Sequence, residues 1–362
     1  MTWRRPATLW NRHDFDLGVE KIDGYGIMYD DSTFPPVIRE WRRGHMNVDY
    51  LRISVTDGCN LRCIYCNPLG CANLAEGAGI LRCDEIARVA RLCAQCGIRR
   101  VRLTGGEPLM REDIVGLVRR LAGIPGVEDL SMTTNGVLLA SMAEDLKEAG
   151  LKRINISLDA MDRDCYRRIA GADALPRVLD GMHRAIEVGL SPVRINCVVM
   201  RDVNVSQIEP LAQMSVRLPV AVRFIEYCPT TRLTGPASCY VPTREVRGMI
   251  ESRFGPLCDL VLPDAGGPAV YFKIEDAVGA IGFISGRSSM FCHRCTRLRL
   301  TSDGKIKPCL YAGRYYDVAQ LLRAGADDEA VLSLLRTALR EKGRSTKLNA
   351  AAGDFLMQQI GG

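Results

Sequence analysis

From Tyr50 onward the chain alternates short runs rich in Val, Ile and Leu with amphipathic stretches, and this alternation limits its fold more than any other feature. Strand-like runs fall at residues 50–55, 100–103, 129–133, 153–158, 193–200 and 221–227. Between them, apolar residues at spacings of three and four predict helices over 83–96, 114–122, 141–149, 178–188 and 206–216. Strands that alternate with helices pair in parallel, because each helix carries the chain back to the edge where the next strand starts. The expected fold class is therefore α/β. Six strand–helix units make an incomplete (β/α)6 barrel of TIM type, since a closed barrel takes about eight. In such a barrel the C-terminal ends of the strands carry the chemistry. The unusual residues stand there: Thr56-Asp57, Thr104-Gly105-Gly106-Glu107-Pro108, Thr134-Asn135-Gly136 and Asp159-Ala160.

The rhythm stops after about Gly255-Pro256. Residues 260–291 read as loop and short strands, and 317–347 as mainly helical. Three segments result: an N-terminal extension over 1–46 that holds all three tryptophans, a partial barrel over 47–256, and a C-terminal region over 257–362 expected to close the barrel's open side. A segment so rich in aromatic residues is expected to pack onto the body, because disordered tails are poor in them. The net charge of +6 is spread along the chain, which suits an anionic small molecule. Nucleic acid would call for a clustered basic face. The longest uncharged run, 130–143, is too short to span a bilayer. The N-terminus carries acids and no apolar signal core, so a cytoplasmic location is expected.

Fifteen cysteines with no export signal point to a reduced compartment and to metal. Two sets stand out: Cys59, Cys63 and Cys66 after the first strand, and Cys292, Cys295 and Cys309 near the C-terminus. Three thiolates at the first set's short spacing can grip one face of a cubane, leaving a fourth iron for an outside ligand. A structural zinc site or an electron-transfer cluster wants four protein ligands. A zinc loop with a distant ligand is the alternative. The second set is again a trio, because Leu310 and Tyr311 follow Cys309 where a paired cysteine would stand. His293 lies between two of these cysteines and is badly placed to share their metal, so a second open cubane is favoured over zinc. Arg297 and Arg299 alternate along a strand, which puts both guanidiniums on one face as a phosphate site, with Arg52 as a further cation. Cys93 and Cys96 lie in a helical stretch and read as core, and His183 reads as structural.

Cys59-x3-Cys63-x-Tyr65-Cys66 resembles the signature of the radical S-adenosylmethionine (SAM) superfamily. Gly105-Gly106-Glu107-Pro108 resembles the motif that meets the SAM amino group. Its glycines permit close backbone approach, and Glu107 offers charge to an ammonium. The resemblance also sets Tyr65, Thr134, Asn135, Ser157 and Arg194 against SAM. Residues 51–57, 103–111, 223–226 and 295–300, with the terminal Gly361-Gly362, make the chain from about Tyr50 onward similar to the molybdenum-cofactor GTP 3′,8-cyclase family.

That resemblance implies a lyase with two 4Fe-4S clusters, SAM as cofactor and GTP as substrate. A SAM-derived radical would take the C3′ hydrogen of GTP, and C3′ would bond to C8. Arg52, Arg100, Arg102, Arg194, Arg223, Arg297 and Arg299 would hold the triphosphate. Arg52, Arg297, Arg299, Gly361 and Gly362 would serve catalysis. The implied partners are a reducing protein such as flavodoxin or ferredoxin, a downstream cyclic pyranopterin monophosphate synthase, and a second copy of the chain. Several residues depart from the family pattern. Gly58 stands where arginine is frequent, Asn67 where methionine is usual, and Arg100 and Arg194 where lysine is common. These leave open a paralogue acting on another nucleotide or a peptide. A non-catalytic metal-binding module is the reading from a different class.

Overall fold

The computed structural model describes residues 48–67, 79–229, 237–262, 267–289 and 295–342. The N-terminal extension, Cys292, His293, Gly361 and Gly362 lie outside the described residues. Six strands follow the expected runs: β1 (Tyr50–Ser54), β2 (Arg100–Thr104), β3 (Asp129–Thr134), β4 (Arg153–Ser157), β5 (Val193–Val199) and β6 (Val220–Glu226). Each pairs in parallel with the next. The intervening helices are α1 (Cys83–Gln95), α2 (Ile114–Ala122), α3 (Leu139–Glu148), α4 (Arg163–Ala170), α5 (Leu175–Glu187) and α6 (Ile208–Arg217), and α7 (Thr243–Phe254) follows β6. The sequence pattern does not signal α4 or α7. The first is only eight residues long, mostly charged or polar, and is started by the Asp162 carboxylate accepting from the Cys165 N–H at 2.8 Å.

The C-terminal segment adds β7 (Cys258–Leu260), β8 (Val270–Lys273), β9 (Ala280–Ile284), β10 (Arg297–Leu300), β11 (Lys305–Lys307), β12 (Tyr316–Asp317), α8 (Val318–Arg323) and α9 (Asp328–Lys342). Here β9 joins β6 in parallel and β10 joins β1 in parallel. The described sheet therefore runs β12-β11-β10-β1-β2-β3-β4-β5-β6-β9-β8-β7, with antiparallel hairpins at both ends. The fold is mixed α/β around parallel strands, and the C-terminal segment extends both edges of the sheet built by the first half. Among the described residues no helix is long and apolar enough to cross a membrane.

Strand alternation sorts the two faces. Leu51, Ile53, Val101, Leu103, Met132, Ile154, Ile156 and Ile195 are completely buried, in one core with Ile86 and Val89 of α1, Leu117 of α2 and Leu146 of α3. Each such side chain contributes about 1.5–3 kcal/mol on leaving water. The residues between them are polar: Arg52, Arg102, Ser131, Asn155, Arg194 and Asn196. Barrels of this type normally fill their interior with branched apolar side chains. A lining of arginine, asparagine and serine cannot pack that way, so a cavity is left inside the strands.

Helix α9 packs Val331, Leu335, Ala338 and Leu339 into the same core. Its first residue, Asp328, takes bonds from Arg88 at 2.8 Å and Arg91 at 2.7 Å on α1. These contacts carry the last residue of the helix, Lys342, to the cavity wall.

Candidate functional site

The loop after β1 carries the first cysteine set and is held from two sides. The Gly105-Gly106 turn after β2 lies against it: the Gly106 N–H donates to Thr56 O and the Glu107 N–H to Gly58 O, both at 2.7 Å. On the far side, Arg62 N–H donates to Ala170 O at 2.9 Å and Ile64 N–H to Ile169 O at 3.0 Å, so the end of α4 buttresses the loop. Tyr65 donates its hydroxyl proton to Asp159 at 2.7 Å. Burial raises the Asp159 carboxyl to about 6 and pushes the Cys63 thiol well above its usual range. Cys59, Cys63 and Cys66 all face one cavity of about 390 Å³.

Eight arginines line that cavity: Arg52, Arg100, Arg102, Arg153, Arg194, Arg223, Arg297 and Arg299. Arg299, Arg52 and Arg102 lie side by side in register on three adjacent strands. Like charges set opposite each other in a sheet repel. Burial, reinforced by Arg299, holds the Arg52 guanidinium well below the usual arginine value. Burial and then Arg297 lower Arg299 to about 10. Hydrogen bonds orient the wall. Arg223 donates to Asn196 at 2.9 Å and to Asn155 at 2.7 Å, and Arg102 donates to Ser131 at 3.1 Å. Gly282 faces Arg223 in register, and a Cβ there would stand 3.0 Å from the Arg223 side chain. Arg100 pairs with Asp49 at 2.7 Å, and Arg153 with Asp129.

Glu226 is the one carboxylate among the described lining residues. It is already saturated, accepting from Arg287 N–H at 2.7 Å, Ser288 N–H at 2.9 Å and Thr243 N–H at 3.0 Å. Burial raises its pKa, but these donors and the Ser288 hydroxyl outweigh that and hold it below the usual value. The wall thus presents eight guanidiniums and a single carboxylate among its described residues, an excess of positive charge that suits an anion.

Of the second cysteine set, Cys295 and Cys309 lie toward the other end of the strands. Cys295 precedes β10, which runs parallel to β1, and Cys309 follows the antiparallel β11. Both line the cavity. β1 has five residues, so Cys295 is separated from the first set by roughly 17 Å at about 3.3 Å per residue. Lys342 is 3% exposed and donates to the Cys295 sulfur at 3.3 Å. Burial raises the Cys295 thiol, yet Arg297 and Lys342 outweigh it and bring the pKa below the ordinary value. Among the described residues no three His, Cys, Asp or Glu side chains converge as for a single metal ion. A cubane asks instead for sulfurs spread around a larger body, and three cysteines of one loop opening on one cavity fit that demand.

Most expected residues meet in this one cavity. Tyr65, Gly105, Gly106, Thr134, Asn135, Ser157 and Arg194 line the end near Cys59, and Arg52, Arg100, Arg102, Arg223, Arg297 and Arg299 the remainder. Glu107 differs. It is 1% exposed and does not reach the wall. Its carboxylate accepts from the Thr134 hydroxyl at 2.6 Å, Asn135 N–H at 2.7 Å and Leu109 N–H at 3.0 Å. These bonds form a clamp that ties the β2 turn to the β3 turn. Tyr50, Arg153, Asn196, Glu226, Cys228 and Lys342 also line the cavity and were not singled out from the sequence. For the first three a signal existed: they share the inward parity of Arg52, Arg194 and their neighbours.

Comparison with known proteins agrees with this geometry. The sequence profile of the Radical SAM superfamily matches residues 53–214, and that of Molybdenum Cofactor Synthesis C matches 220–348. A protein of Pelotomaculum thermopropionicum named GTP 3′,8-cyclase is 45% identical over 318 residues, covering 87% of this chain and 98% of the relative. One of the same name from Moorella thermoacetica is 44% identical over 316 residues, with the same coverage of 87% and 98%. Among solved structures, Streptococcus suis SuiB superposes with a TM-score of 0.59 at 17% identity, over 83% of this chain and 70% of that one. At that identity the likeness is one of fold alone.

Proposed function

This chain belongs to the GTP 3′,8-cyclase family of the radical SAM superfamily, and from that premise we propose that it converts GTP to 3′,8-cyclo-7,8-dihydro-GTP for molybdenum-cofactor synthesis. The observation that carries the proposal is that Cys59, Cys63 and Cys66 line one arginine-walled cavity together with Cys295 and Cys309, which lie toward the opposite end of the strands. Cys59, Cys63 and Cys66 hold the cluster that works with SAM, and Cys292, Cys295 and Cys309 hold a second. When bound, the first cluster and SAM supply the radical that takes the C3′ hydrogen.

The chain's own residues bind, orient and shield. Gly105 and Gly106 bring backbone to the SAM end without side-chain bulk, and Glu107 fixes Thr134 and Asn135 beside it. Arg52, Arg102, Arg223, Arg297 and Arg299 hold the triphosphate, which fixes C3′ relative to the SAM end and limits its freedom. Within the strands, water is kept from the reacting carbon. The C-terminal region closes the open side of the incomplete (β/α)6 barrel, bringing the second cysteine set to the purine. The family resemblance gives Gly361 and Gly362 a part in catalysis. A flavodoxin or ferredoxin supplies the electron, and a cyclic pyranopterin monophosphate synthase takes the product.

The test is anaerobic reconstitution of the full chain, then SAM, dithionite and GTP, with 5′-deoxyadenosine and nucleotide product read by chromatography. Deoxyadenosine formation that depends on GTP is expected. Formation indifferent to GTP would assign another substrate, and none would leave only a binding module.

A further inference from the structure

Tyr50 begins β1 on the cavity side, flanked in register by Arg100 on β2 and Arg297 on β10. The Arg100 and Arg102 guanidiniums lie over its ring at 5.3 and 5.4 Å from the centroid. The residue is 5% exposed, and its hydroxyl is buried with no hydrogen-bond partner among the described residues. A buried hydroxyl is normally paired, so an orphan one asks for an explanation. The charged groups acting on this one are Arg102, Arg52, Arg153 and Arg297. Guanidinium groups only donate, and none of them can take the phenol's proton. What the position lacks is an acceptor, and the field around it selects a negatively charged one. Burial raises the phenol's pKa, but the arginines outweigh it and bring it below the usual tyrosine value, so the proton is readily shared with an anion.

We propose that the Tyr50 hydroxyl donates a hydrogen bond to a phosphate oxygen of the bound substrate, with its ring serving as the platform on which Arg100 and Arg102 rest. In the free protein the hydroxyl is buried, and the Arg100 and Arg102 guanidiniums lie over the ring that carries it. An anion that draws them onto itself brings an oxygen to the same place. The inference rests on the GTP reading for the identity of the substrate and on the cavity alone for the chemistry of the ligand, a polyphosphate chain.

The experiment compares the wild type with Tyr50→Phe, both as reconstituted full chains, by calorimetric titration with GTP and separately with inorganic tripolyphosphate. Losing one hydrogen bond to a charged group should weaken both ligands about tenfold. Iron content should be unchanged, and the melting temperature equal or higher, because the hydroxyl has no partner to lose. Equal tripolyphosphate affinity in the two proteins, or no tripolyphosphate binding by the wild type, overturns the proposal. A lower melting temperature for Tyr50→Phe does so as well, since it would give the hydroxyl a structural duty. If the wild type binds tripolyphosphate but not GTP, the cyclase reading fails while Tyr50 is still judged on the inorganic ligand.

Discussion

Gly106→Ala should break the first cysteine site through the backbone alone. A Cβ on Gly106 would lie 2.0 Å from the Gly58 carbonyl oxygen, 2.5 Å from its carbon and 2.6 Å from the Asp57 oxygen. Contacts involving carbon settle near 3.5 Å, so the two segments must part by about 1 Å or more. Every clashing atom is backbone, so no side chain can swing aside. Parting strains or breaks the bonds from Gly106 N–H to Thr56 and from Glu107 N–H to Gly58, both 2.7 Å long. Overpacking of this kind costs about 1–3 kcal/mol, and each lost hydrogen bond about 0.5–1.5 kcal/mol, for a total of roughly 2–6 kcal/mol. That is a large share of the ~5–15 kcal/mol that keeps a typical protein folded. Gly58 directly precedes Cys59, so the shift moves a sulfur as well. The assay is iron and sulfide per chain after anaerobic reconstitution, with thermal unfolding in parallel. The expected result is a lower melting temperature and loss of the first site's iron. Gly116→Ala on α2 is the control. Its Cβ meets nothing within 4 Å, and helix propensity predicts a gain of up to about 1 kcal/mol. Full iron and an unchanged melting temperature in Gly106→Ala would refute the close-approach argument.

Arg297→Ala combined with Arg299→Ala should weaken GTP binding by at least about tenfold, since each arginine makes charge-assisted bonds worth about 1.5–3 kcal/mol. Iron content should stay the same; unchanged GTP affinity in a titration would remove the phosphate-site assignment. Glu107 predicts a pH dependence. Burial lifts its carboxyl to about 7 in the folded chain despite the three donors it meets, against about 4.3 unfolded. The folded state binds the extra proton between these values, so this contribution is complete below about 4.3 and is lost as the pH rises through about 7, a change on the order of 3 kcal/mol. Thermal unfolding of the cluster-free protein from acid to neutral pH should show that slope, and Glu107→Gln should flatten it; identical slopes would assign the titration elsewhere.

The strand–helix rhythm was legible because period two and spacings of three and four are local properties of the chain. So were the cysteine spacings, the Gly105-Gly106 turn and the Arg297-Leu298-Arg299 alternation, each of which needs only its own segment. Even the inward set could be counted: Tyr50, Arg52, Arg100, Arg102, Arg153, Arg194 and Asn196 share one parity on successive strands. Helix α4 is not signalled by the sequence because its apolar face, Cys165, Tyr166, Ile169 and Ala170, spans barely two turns, although its end supports the cysteine loop.

Tertiary structure alone decided which of these local features share a space. No rule of spacing pairs β10 with β1 or β9 with β6, because partners about 250 and about 60 residues apart are chosen by how the whole sheet assembles. That pairing sets Arg299 beside Arg52, brings Cys295 to the far end of the strands and delivers Lys342 to its sulfur. It also turned Glu107 away from the cavity, since a buried carboxylate bonds the nearest N–H groups that lack partners, and Asn135 and Leu109 supply them. Sequence determines which side of each strand a residue occupies; only the assembled sheet determines what it faces.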